Sequence, residues 1–181
     1  MTERPGMTER PGMTERQAAT GWQPANPGFE AAVRDAVLTM PAARHLGLAL
    51  GRLAPGEAEV IQPVRPELTQ HDGFVQAGVL GSLADFAAGA AAGTLLPSGW
   101  ANMTIDYTVK LLSPGRGEEI AASGRVLKPG PLITVAAADV YAIAGPAGER
   151  TLCATALCTF RNVRVPRPCL SSTSTQACVM T

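Results

Sequence analysis

The stretch Val75-Gln76-Ala77-Gly78-Val79-Leu80-Gly81-Ser82-Leu83-Ala84-Asp85 governs the reading of this chain. It opens an almost wholly apolar helix. Its single charged side chain, Asp85, lies eight residues past a small-residue start at Ala77 and Gly78. A carboxylate inside a greasy helix is costly to bury, so it needs a structural partner or a chemical task. Outward from there, the apolar run continues to Leu96 and is broken by Pro97-Ser98-Gly99. As a membrane span, 77–96 would hold Asp85 near mid-bilayer at roughly 2.5–3.5 kcal/mol. No basic anchors flank it, so the reading is a buried helix of a soluble domain.

The chain has 181 residues, which suits one domain with a largely dry core. Aromatic residues make up only 4%, so Ala and Gly must carry much of the close packing. Fifteen basic and fifteen acidic side chains cancel, which argues against a general nucleic-acid binder. The four cysteines are read as structural or incidental. Cys153 and Cys158, five apart in a strand-like run, are expected on opposite faces. With two histidines and no Cys/His cluster, a zinc site is not expected. The first sixteen residues repeat Met-Thr-Glu-Arg-Pro-Gly, and no secretory signal is visible, so a cytoplasmic location is expected. Residues 1–28 and 164–181 read as disordered tails around a domain at 29–163.

Helical spacing runs over 29–40, where Pro41 ends it. Two short strands, 46–53 and 57–62, flank the turn pair Pro55-Gly56, and 63–74 reads as a loop. After the 77–96 helix come four strands. The first alternates Met103, Ile105, Tyr107, Val109 and Leu111 with Thr104, Asp106, Thr108 and Lys110. Then follow 118–127, 132–143 and 150–163, separated by Pro/Gly turns and read as a four-strand meander. The expected class is α+β, an antiparallel sheet wrapped around one buried helix.

Three segments, in this order, resemble the hotdog-fold thioesterases, in particular the PaaI-like branch associated with phenylacetic acid degradation. They are Gln76-Ala77-Gly78-Val79-Leu80 with Leu83-Ala84-Asp85, then Thr104, Asp106-Tyr107 and Leu112-Ser113-Pro114, then Gly124-Arg125-Val126-Leu127-Lys128 with the strands after it. The resemblance covers about residues 33–163. It implies an acyl-CoA thioesterase needing no metal or cofactor, a homodimer or dimer of dimers with shared sites. Gln76-Ala77 stands where the family most often has His-Gly.

Thioester hydrolysis needs donors aimed at the carbonyl oxygen and a base or nucleophile for the carbon. The first turn of a helix offers free N–H groups and the positive end of its dipole. The resemblance assigns the Ala77 N–H as donor, with Gly78 as a second, and Asp85 as base or nucleophile; the residues leave that choice open. Eight helical residues rise about 12 Å, too far for both to touch one carbonyl, so Ala77 of one subunit is expected to work with Asp85 of another. By resemblance, Gln70 orients water or thioester, and Thr104 holds the water or Asp85. Gln76, His71, Val79, Phe86, Arg125 and Lys128 are the expected substrate contacts. Val79, Leu83 and Phe86 suggest an apolar or aromatic acyl group, while Arg125, Lys128 and Lys110 are candidates for coenzyme A phosphates. A His71–Asp85 dyad would instead suit a hydratase or dehydratase, and a non-catalytic acyl-CoA-binding protein is the other alternative.

Overall fold

A computed structural model describes residues 21–165. The order of elements is α1 (Phe29–Leu38), α2 (Pro41–Leu46), β1 (Ala49–Ala54), β2 (Glu57–Pro63), a 3₁₀ turn at Pro66–Leu68, α3 (Ala77–Gly93), β3 (Trp100–Leu111), β4 (Glu119–Lys128), β5 (Ile133–Ala144) and β6 (Glu149–Arg164). All strands pair antiparallel in one sheet, ordered β1-β2-β4-β5-β6-β3, and the sheet wraps α3. This is the hotdog arrangement expected from the sequence.

The core is built from small side chains. Leu83, Ala84, Ala87, Ala88 and Ala91 of α3 are buried against Ala122, Ala136, Ala138 and Val140 of the sheet. Gly124 shows how close the two layers lie. A Cβ there would fall 2.1 Å from the Ala87 carbonyl oxygen, so only glycine fits. At its start α3 is capped by Gln76, whose Oε1 accepts from the N–H groups of Gly78 (2.5 Å) and Val79 (3.3 Å). At its end the Thr94 hydroxyl donates to the Ala91 carbonyl and accepts from the Gly56 N–H, tying the β1–β2 turn to the helix. The helix therefore stops at Gly93, short of the expected Leu96. Among the described residues no helix is long and apolar enough to cross a membrane.

Several expectations need correction. Pro41 opens α2 rather than simply ending α1, because a proline in the first turn gives up an N–H that has no intrahelical partner. Gly47, at φ 71°, closes α2, and β1 starts only at Ala49. The meander is β4-β5-β6 alone. β3 pairs with β6 at the far edge, and 112–118 carries the chain back across three strand spacings, about 14 Å. Strand-by-strand alternation does not encode which neighbour a strand takes.

Cys153 and Cys158 do not lie on opposite faces in the expected sense. Both are fully buried in the core. Val140 pairs with Ala154 and Tyr141 with Leu152, so Cys153 is an extra residue that resets the two-residue alternation. Its carbonyl accepts from the N–H groups of Leu112 and Ser113, anchoring the crossing segment. Cys169, Cys178, the hexamer repeats and most of both tails lie outside the described residues. Of those tails, residues 21–28 lead into α1 through Asn26, and Arg164 is the last residue of β6.

Candidate active site

A second bulge sets the site. On β3, Thr104 pairs with Phe160 and Asp106 with Thr159, leaving Ile105 extra. A plain two-residue period would put Thr104 and Tyr107 on opposite faces. The bulge turns both toward α3: Tyr107 and Val109 pack beside Gly81, and the Thr104 hydroxyl donates to Asp85 Oδ1 at 2.8 Å. Partial burial raises the Asp85 pKa above the ordinary carboxylate value, and the Thr104 hydrogen bond pulls it back in part.

Asp85 and Thr104 open into a groove of about 420 Å³, bounded by α1, α3 and the start of β3 and containing Phe86. Asn102, which the sequence reading did not single out, lines the same groove and donates to the Gly89 carbonyl at 2.8 Å. Its signal was available: it lies two residues before Thr104, on the same face of the strand. Val33 and Val37 of α1 also line the groove, where the sequence showed only helical spacing.

The donor end is elsewhere. Ala77 lines a different hollow of about 530 Å³ with Gln70, Phe74, Leu80 and Leu111, and it shares no residue with the Asp85 groove. Gln76 occupies the Gly78 and Val79 N–H groups, while that of Ala77 has no hydrogen-bond partner among the described residues. Where the family most often has histidine, Gln76 is thus a helix cap. Gln70 Oε1 accepts from the Asp72 N–H, which shapes the loop beside Ala77. His71 is at the exposed loop tip, 3.5 Å from Asp72, and does not line the Asp85 groove.

The remaining expected residues are dispersed. Val79 is half-buried against the core, and Leu83 is fully buried, so it is not an acyl-facing residue. Arg125 sits on the outer face of the sheet and is paired with Asp139 at 2.7 Å, which also accepts from Thr155. Lys110 and Lys128 are exposed. Cys158 lies beneath the site as an inert thiol, its pKa pushed up to about 12 by burial and by the charges of Asp85 and Asp106. Among the described residues no group of three or more His, Cys, Asp or Glu is placed to hold a metal.

Comparison with solved structures supplies the relatives. A thioesterase family protein from Silicibacter pomeroyi is 35% identical over 76% of this chain and 99% of that one, with a TM-score of 0.73. The chain belongs to the hotdog-fold thioesterase family. PaaI from the Escherichia coli phenylacetic acid degradation operon has the same fold at 18% identity, covering 78% of this chain and 99% of its own, with a TM-score of 0.67. A thioesterase from Haemophilus influenzae has it at 21% identity, covering 74% and 90%, with a TM-score of 0.64. No family model matches the chain, and no curated protein does. In this thioesterase-family chain, then, an acid and a free helix-start donor lie on one helix in two separate hollows.

Proposed function

We propose that the protein hydrolyses acyl-CoA thioesters at sites shared between two subunits. The observation that carries this reading is the division of one helix into two half-sites. Ala77 and Asp85 both belong to α3, about 12 Å apart along its axis, and they open into different hollows. A carbonyl held by the Ala77 N–H needs its acid from a second copy.

The free edge of the sheet supports that assembly. Among the described residues β3 is hydrogen-bonded on one side only, by β6. It exposes Met103, Ile105, Tyr107 and Leu111, each about half accessible, and a long apolar edge of this kind is a template for strand pairing. Antiparallel pairing of β3 with its copy about a two-fold axis near Thr108 would lay the Leu111 end of one subunit beside the partner's Thr104 end. Leu111 lines the Ala77 hollow and Thr104 the Asp85 groove, so each axis-related pair of hollows forms one complete site.

In that site the thioester oxygen accepts from the Ala77 N–H at the positive end of α3. Asp85 of the other subunit, held by Thr104, either takes a proton from the attacking water or attacks the carbonyl carbon itself. The negative charge that develops on oxygen as the nucleophile adds is stabilised by the donor; when it returns to the carbonyl the carbon–sulfur bond breaks and coenzyme A leaves as the thiolate, which takes up the proton held by Asp85 or one from water. If Asp85 itself attacks, water then hydrolyses the resulting anhydride to the free acid. Free-thiol detection with a panel of acyl-CoAs tests the reaction. Release of coenzyme A by the wild type and its loss in Asp85→Asn are expected, whereas equal turnover in both would remove Asp85 from the chemistry.

A further inference from the structure

The groove does not stop at Asp85. It runs on along α3 toward Leu96 and Trp100, roofed by Val33 and Val37 of α1. We propose that this extension holds the acyl chain of the substrate and that Gly89 and Gly93 set the chain length it accepts. The inference rests on the thioesterase reading and adds a specificity determinant to it.

Asp85, Gly89 and Gly93 recur every four residues, so they follow one face of the helix, with the two glycines about 6 and 12 Å beyond the carboxylate. Both glycines line the groove. At Gly89 a Cβ would meet the Phe160 ring at 3.3 Å and approach Asn102 Oδ1 at 4.0 Å, crowding the channel one turn from Asp85. At Gly93 a Cβ would meet Val33 Cγ2 at 3.3 Å, crowding the gap between α1 and α3 two turns away. The walls are fixed rather than loose. Arg34 donates to the carbonyls of Leu50 and Gly51, both at 3.2 Å, clamping α1 to β1, and Asn102 clamps the Gly89 carbonyl.

Among the described residues Asp85 is the only charged side chain lining the groove, so none of them compensates a charged far end of a chain. The occupant is an uncharged hydrocarbon acyl group extended along α3, its thioester at Asp85 and its tail toward Trp100.

The test is kcat/KM for straight-chain acyl-CoAs from acetyl to palmitoyl, measured by thiol release on wild type, Gly89→Ala, Gly93→Ala and Val33→Ala. Gly93→Ala is expected to leave the shortest chains within twofold of wild type and to cut the longest accepted chains by about tenfold or more. Gly89→Ala should move that cutoff to shorter chains, and Val33→Ala should extend it to longer or bulkier ones. Because Val33→Ala removes atoms, it tests the groove independently should a glycine variant fail to fold. A uniform change across all lengths, or an unaltered profile in all three, would overturn the assignment of the groove. Absence of thiol release by wild type from every acyl-CoA would instead overturn the thioesterase reading on which it rests.

Discussion

At the scale of single residues, Asp85 is held in a compromise. Burial raises its pKa from 3.8, and Thr104 offsets part of the rise. Relative to the unfolded chain, folding therefore favours the protonated form of Asp85. Its contribution to stability is present below the unfolded-state value and is lost as pH rises through the raised folded-state value. Asp85→Asn should accordingly melt at a higher temperature than wild type at neutral pH while losing roughly 10²–10⁴-fold in activity. A lower melting temperature would show that the charge is stabilised by contacts other than Thr104. Removing the hydroxyl in Thr104→Val raises the acid's pKa further, so the acidic limb of the kcat/KM profile should move to higher pH. An unmoved limb would mean that Asp85 does not control the rate. The sequence showed that a lone carboxylate needed a partner or a task, and the structure supplies Thr104 as the partner.

At the scale of elements, two one-residue irregularities matter more than any regular pattern. The Ile105 bulge turns Thr104 to Asp85, and the Cys153 bulge anchors the segment that crosses back to β4. Deleting Ile105 removes the extra residue and leaves Thr104 opposite Phe160 and Asp106 opposite Thr159; what is lost is the local bend that aims Thr104 at Asp85, so activity should fall even if circular dichroism still reports a folded sheet. Retained turnover would show that the bulge is dispensable. Gly124→Ala forces a Cβ toward the Ala87 carbonyl and should destabilise the domain by about 1–3 kcal/mol or more in urea unfolding. The strands and α3 were legible because their periods and Pro/Gly punctuation are local signals. The bulges, the place of β3 beside β6 and the second helix at Pro41 were not. Each depends on pairing partners or on a proline whose effect differs between the first turn and the interior of a helix. The roles of Asn102 and Gln76 were hidden for the same reason: a polar residue in sequence does not show which backbone group it satisfies.

At the scale of the whole molecule, the proposed function requires an assembly in which two chains complete two sites, and the exposed β3 edge is the surface offered for it. The claim is tested most directly by mixing two inactive subunits. Ala77→Pro removes the donor at a position suited to proline: Ala77 is the first residue of α3, and Gln76 already has an extended ψ of 139°. Homodimers of Ala77→Pro and of Asp85→Asn should each lose activity, by roughly 10²–10³-fold in the first case. A purified heterodimer of the two keeps one intact pair, the Ala77 N–H of the Asp85→Asn chain with Asp85 of the Ala77→Pro chain. The account predicts about half the wild-type activity per heterodimer; activity no higher than that of either homodimer would contradict it, because the site would then lie within a single chain.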